Sequence, residues 1–237
     1  MQTDHPIGMV RTTLTGRAVE FARGRPSAIA KTPRPGPIYI GHTGLEGDEQ
    51  GDTRVHGGPD KAVHAYATEH YPYWIAELGP LEVLAAPGAF GENLSTSGIT
   101  EANLCLGDRL RIGSALLEVS QARQPCWKLN ERFGVADMAL RLQSTLRTGW
   151  YFRVLETGHV AAGDEIRLVS RPHESWTLLR LGRLLYERPA DAPELREALR
   201  LPLVPSWRRL MEHRLSRGKV EDWSARIDGP PRTDDRR

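Results

Sequence analysis

Apolar residues in the first two thirds of the chain come in short runs broken by glycine and proline, whereas the last third repeats them at helical spacing. Short apolar or alternating runs between turn formers predict strands, here at residues 19–21, 28–31, 38–40, 62–66, 150–155 and 165–169. Residues 110–112 and 115–119 flank Gly113-Ser114, a pair suited to a tight turn, and predict a hairpin. Two helices interrupt this texture, one capped by Thr68 and running to Leu78, the other capped by Asp137 and running to Leu146. The arrangement is that of a mainly β barrel or sandwich, not of repeated strand–helix–strand units.

After Arg171-Pro172 the period changes. Leu178, Leu181, Leu184 and Leu185 share one face of a helix over 177–186. Asp191 is the expected cap of a helix over 192–199, with Pro193 in its first turn, and Ser206 the cap of one over 207–215. The expected organisation is a β domain at 1–171, a three-helix unit at 172–228 and a polar tail at 229–237 that frays. Three short helices are too slight to stand alone, so they are expected to pack on the β domain.

Composition narrows the classes. With 237 residues, 39% hydrophobic and 26% charged, the chain can bury a core, and its formal net charge of +2 gives no overall drive toward nucleic acid or membrane. The basic excess lies in the C-terminal part, where Arg180, Arg183, Arg208, Arg209 and Arg214 form either a solvated helix face or a contact for a partner. Two cysteines, Cys105 and Cys126, make no disulfide framework, which fits a reducing cytoplasm. The N-terminus carries no signal pattern and no apolar run approaches the roughly 18 residues of a membrane span, so a soluble, cytoplasmic protein is expected.

Candidate chemistry gathers at Pro125-Cys126-Trp127-Lys128. A cysteine there is either a small buried apolar residue or a reactive thiol. Placement near a helix start, with Arg123 and Lys128 within three residues, favours the thiolate. The polar stretch from Gly44 to Tyr66 is long for a compact domain, and His56-Gly57-Gly58 sets an imidazole beside two residues that let backbone N–H groups approach an anion. Ala89-Phe90-Gly91-Glu92-Asn93-Leu94 adds an amide, and Cys105 sits in the apolar setting of a structural thiol. His56, His64 and His70 follow no zinc spacing and suit proton transfer better. A Cys-His hydrolase has no local signature, and the phosphate-binding loops Gly-x-x-x-x-Gly-Lys and Gly-x-Gly-x-x-Gly are absent.

Taken together, Lys31 in Ser27-Ala28-Ile29-Ala30-Lys31, the Leu45-Glu46-Gly47-Asp48 loop, Val55-His56-Gly57-Gly58-Pro59-Asp60-Lys61, Glu69-His70-Tyr71, Phe90-Gly91-Glu92-Asn93-Leu94 and Pro125-Cys126 resemble the MOSC domain. More narrowly, the chain resembles the bacterial group tied to 6-N-hydroxylaminopurine resistance. That resemblance implies a MOSC-type β-barrel with a few helices followed by a small C-terminal three-helix domain. It further implies a molybdenum cofactor (molybdopterin) whose metal is ligated by Cys126, with Lys31, Gly57, Gly58, Lys61, Asn93, Arg123 and Lys128 as cofactor-binding candidates. The implied reaction is reduction of an N-hydroxylated base or hydroxylamine to the amine, with His56 and His70 as candidate proton donors and a flavoprotein reductase as external electron donor. A persulfide carrier built on Cys126, without metal, is the alternative. Whether the barrel forms a homodimer stays open.

Overall fold

The computed structural model describes residues 4–51, 57–187 and 191–231. Seven strands close a barrel, in spatial order His5–Thr15, Leu94–Ser97, Val63–Ala67, Trp150–Glu156, Ala115–Ala122, Arg109–Ile112 and Glu165–Ser170, which returns to pair with the first. All these pairings are antiparallel except Val63–Ala67 with Leu94–Ser97. Closure leaves these strands no free edge.

The His5–Thr15 strand makes closure possible by serving two neighbours. Its first half pairs with Glu165–Ser170 and its second with Leu94–Ser97, with register shifts at Pro6/Gly8 and Val10/Thr12 where the strand bends. Along Trp150–Glu156 the burial alternates: Trp150, Phe152 and Val154 enter the main core while Tyr151 and Arg153 face outward. Val63–Ala67 is buried on both faces, its Val63, Ala65 and Ala67 in the barrel core and Tyr66 in a second cluster with Trp74, Phe90, Leu129 and Phe133. Tyr66 stacks on Phe90 with centroids 3.9 Å apart. That outer cluster seats the helices Tyr71–Leu78, Lys128–Phe133 and Met138–Thr145 against the barrel wall.

The C-terminal helices Leu178–Tyr186, Ala192–Ala198 and Pro205–Arg217 pack their apolar residues into the same core as the barrel interior. Arg171 ties the connection down: its guanidinium reaches the fully buried Asp108 at 2.7 Å, and Cys105 bridges to Thr177. The arginines read as a helix face are largely occupied within the fold. Arg180 pairs with Glu194 at 2.9 Å and stacks on Trp176, Arg208 donates to the carbonyls of Leu199 and Leu201, and buried Arg214 pairs with Glu221 at 2.8 Å.

Several local expectations are corrected. Residues 28–31 are not a strand; they turn, with Lys31 N–H donating to Ile29 O at 3.1 Å. Thr68 does not cap a helix but donates to Thr96 O at 3.0 Å, and Thr68–His70 is a 3-10 turn before Tyr71–Leu78. Asp137 stands at the N-cap yet bonds Arg141 in place of the backbone, and the last long helix begins at Pro205, so Ser206 lies inside its first turn and is not its cap. Thr177 caps as expected, accepting Arg180 N–H at 3.1 Å. The described end of the tail, residues 229–231, follows a short helix, Ser224–Ile227, that returns to the barrel.

Candidate functional site

A cavity of about 850 Å³ opens where the barrel wall, the 123–128 connection and residues 225–230 meet. Strand register sets its back wall: Tyr151 lies opposite His64 with rings 5.0 Å apart, and Gln121 pairs opposite Tyr151. Its floor is the turn out of Ala115–Ala122, where Arg123 N–H still donates to Gly149 O at 2.9 Å before the chain leaves the sheet. Cys126 then faces the cavity. Trp127 N–H donates to Arg226 O at 2.8 Å and Leu129 N–H to Cys126 O at 3.0 Å, so the sulfur is carried on backbone fixed from both sides. The helix that follows has six residues and begins at Lys128, two residues after the thiol, so the field at Cys126 owes more to side chains. Lys61 and Arg226 interact electrostatically with it.

Lys61 reaches the cavity from the turn Pro59–Lys61, which is anchored to the barrel by Ser120 Oγ donating to Asp60 O at 2.6 Å and by the Arg153–Asp60 ion pair at 2.8 Å. Burial lowers the Lys61 pKa, and the neighbouring Cys126 and Asp60 oppose that shift. Lys31 forms a buried ion pair with Asp48, and Asp48 also accepts from Gly16 N–H and from Asn93 Nδ2, both at 2.8 Å. Asn93 Oδ1 in turn accepts His64 N–H at 3.1 Å. Burial again lowers the Lys31 pKa while Asp48 holds the charge. Lys128 Nζ donates to Pro26 O at 2.7 Å at the cavity's edge.

Of the residues singled out in the sequence, the cavity collects Lys31, Gly57, Lys61, Asn93, Arg123, Cys126 and Lys128. Gly58 does not line it; it is exposed ahead of the Pro59–Lys61 turn. His56 lies outside the described residues. His70 is a correction: it does not line the cavity, and its Nε2 meets Glu101 at 2.7 Å in a buried pair, with Glu101 also accepting Gly149 N–H at 2.6 Å. Its work is to join two turns, so it is no longer a candidate proton donor. Glu92 is likewise internal, accepting from Tyr71, Gly88, Phe90 and Ser95. Cys105 is the structural thiol: its Sγ contacts Glu174 O at 3.3 Å, and burial pushes its pKa up to about 11.

Sequence reasoning passed over Gln121, Tyr151 and Arg226, and it weighed His64 for proton transfer but kept only His56 and His70 as donors. Tyr151 was legible only as a strand residue, and Arg226 had no signal beyond an arginine close to the C-terminus. Burial, then Arg123, holds His64 well below the usual histidine range, opposed by the carbonyls of Gly91 and Thr148, so its imidazole is neutral at pH 7. Burial likewise raises the Tyr151 phenol.

Four nitrogens on cavity residues are buried without a hydrogen-bond partner: His64 Nε2, Gln121 Nε2, Arg123 Nη1 and Arg226 Nε. Each such group costs about 1–3 kcal/mol if nothing meets it. A cavity of this volume, with that donor set beside three lysines and one thiol, fits a polar, acceptor-rich, anionic ligand. Among the described residues no three His, Cys, Asp or Glu side chains converge as a metal site.

The MOSC domain profile matches residues 52–167, and that of the YiiM-like, 3-alpha helix domain matches residues 176–218. The chain is 42% identical to Protein YiiM of Escherichia coli strain K12 over 216 residues, 91% of this chain and 96% of that one. It is 39% identical over 211 residues to a protein of Gibberella moniliformis named Reductase, spanning 88% of this chain but 37% of that longer protein. The crystal structure of YiiM from Escherichia coli superposes with a TM-score of 0.77 at 36% identity, covering 97% of this chain and 100% of that one. YiiM from Geobacillus stearothermophilus superposes with a TM-score of 0.75 at 32% identity, covering 88% and 99%. With the barrel, the appended helices and near full-length identity in agreement, the chain belongs to the MOSC-domain family, in its YiiM-like branch with a C-terminal three-helix domain.

Proposed function

We propose that the protein is a molybdenum-cofactor-dependent reductase that converts N-hydroxylated bases and hydroxylamines, 6-N-hydroxylaminopurine among them, to the amines. The observation that carries this reading is Cys126 facing a cavity in which four buried nitrogens, on His64, Gln121, Arg123 and Arg226, have no partner within the protein. The balanced reaction takes one N-hydroxyl compound, two electrons and two protons to one amine and one water. When bound, the cofactor supplies the two-electron redox chemistry.

The chain's own residues do the rest. Cys126 Sγ is the metal ligand; a thiolate is soft enough for that role. Lys61, Lys128 and Arg123 neutralise the anionic cofactor, and the Lys31–Asp48–Asn93 chain fixes the wall between them. His64 and Tyr151 stand side by side on the back wall, where a neutral imidazole donates one hydrogen bond and accepts another, and so orients the hydroxyl oxygen that leaves. A flavoprotein reductase supplies the electrons.

The test is elemental. Protein from a host that makes the cofactor is expected to hold molybdenum stoichiometric with the chain, and Cys126→Ala to lose metal and hydroxylamine reduction while melting like the wild type. Metal-free protein with cyanide-releasable sulfur on Cys126 would overturn this reading in favour of a sulfur carrier.

A further inference from the structure

One wall of the cavity comes from outside both matched domains: residues 225–230, beyond the helical match at 176–218. This segment is fastened, not draped. Trp127 N–H and Asn130 Nδ2 donate to the carbonyls of Arg226 and Ile227 at 2.8 and 2.9 Å, and Arg23 Nη1 donates to Asp228 O and Pro230 O at 2.6 and 2.7 Å. Gly229 has φ 74°, and a Cβ there would lie 2.4 Å from the Trp127 ring, so only glycine lets the segment lie flat on that indole.

The fastening brings Arg226 to the cavity beside Arg123. Arg226 donates to Pro125 O and, at 2.7 Å, to Gln143 Oε1, yet its Nε is buried with no partner. Arg123 is 6% exposed, and its Nη1 is also unpartnered. Arg226 feels the neighbouring Arg123 charge, offset by Tyr186 and Cys126, and Arg123 meets the Tyr151 hydroxyl, but among the described residues no carboxylate forms an ion pair with either guanidinium. A buried cation beside a half-buried one, with no carboxylate on either, is costly, and an anion between them lowers the cost.

We infer that Arg123 and Arg226 form an anion-accepting subsite beside Cys126, built by the C-terminal segment, that receives an oxyanion, phosphate or carboxylate, carried by the ligand. This rests on the cavity being the ligand site and not on which metal, if any, Cys126 binds.

The test uses cofactor-free full-length protein and two alkylating probes, anionic iodoacetate and neutral iodoacetamide, with labelling of Cys126 read by peptide mass and buried Cys105 as internal control. Relative to a free thiol, wild type is expected to favour iodoacetate; Arg226→Gln is expected to lower the iodoacetate-to-iodoacetamide rate ratio about tenfold, and Arg226→Lys to restore most of it. An unchanged ratio in a folded Arg226→Gln overturns the inference. A second measurement needs no variant: inorganic phosphate is expected to slow iodoacetamide labelling of wild type more than chloride at equal ionic strength, and equal rates overturn it. In loaded enzyme, loss of molybdenum from Arg226→Gln assigns the oxyanion to the cofactor. Retention of metal, with loss of preference for phosphorylated over unphosphorylated N-hydroxy substrates, assigns it to the substrate. A wild type that never binds molybdenum defeats the proposed reductase and leaves the labelling result standing.

Discussion

At the scale of single residues, the histidines show how far side-chain chemistry can be read without contacts. His70 has the right residue type in a matching motif, but its partner Glu101 lies 31 positions away, and only the fold reveals that the pair is a buried joint. His70→Ala is expected to lose about 1–3 kcal/mol of stability by leaving Glu101 short of a donor, with Cys126 labelling unchanged, as denaturant unfolding and alkylation kinetics would show. His64 is the reverse case, a residue that alternation marks as sheet face and the fold places in the cavity. Its folded pKa lies well below the ordinary 6.5, so as pH falls past 6.5 the unfolded chain takes up a proton that the folded chain does not, and stability drops. Above that pH the group contributes no slope. The wild type is expected to lose stability between pH 6.5 and 5 more steeply than His64→Gln, by up to about 1.4 kcal/mol per pH unit, in denaturant midpoints measured across that range. Equal slopes would show that His64 protonates in the folded state.

At the scale of elements, patterns that are local were legible and those set by distant partners were not. The hairpin around Gly113-Ser114 announces itself because its turn residues and both strands are adjacent. The Leu94–Ser97 strand does not, because it is four residues long and pairs in parallel with a strand far back in the sequence, Ala65 facing Leu94. His5–Thr15 hides behind threonines and a proline, since a bent strand that serves two neighbours keeps no simple alternation. Residues 28–31 read as a strand for their apolar content, yet Ala28 and Ile29 are buried by the cavity wall and the outer cluster and not by a ladder. The Ser224–Ile227 turn and the glycine after it are the least legible of all: four residues cannot show a period, and Gly229 has meaning only against Trp127. Gly229→Val places a branched side chain at positive φ against that ring. It is expected to lift the segment and raise the rate of Cys126 labelling by neutral iodoacetamide about tenfold, corresponding to roughly 1.4 kcal/mol of easier local opening, while the barrel's main unfolding transition stays in place.

At the scale of the whole molecule, the barrel and the C-terminal helices share one apolar core across the change of sequence texture near residue 172. Leu178, Leu181, Leu184 and Leu185 sit in the same apolar cluster as Leu104, Leu106 and Leu117, and the backbone joins the parts through Leu178 N–H to Leu104 O at 2.9 Å and Leu179 N–H to Glu101 O at 2.8 Å. The helices also deliver Arg226 to the cavity wall, so the site is complete only with both parts. A texture boundary marks where the period of burial changes, not where the core ends. Full-length protein is therefore expected to unfold in a single transition, followed in parallel by near-ultraviolet dichroism, to which tryptophans of both parts contribute (Trp74 and Trp150 in the barrel part, Trp176 and Trp207 among the C-terminal helices), and by far-ultraviolet dichroism, which is weighted toward the helices. Leu181→Ala, which empties a fully buried position on the helix face, should cost about 2–5 kcal/mol and move both signals together. If the helical signal melted first and the tryptophan signal fell in two separate steps, the second at the wild-type midpoint, the appended helices would be an independent unit, and the C-terminal wall of the cavity would open without the barrel unfolding.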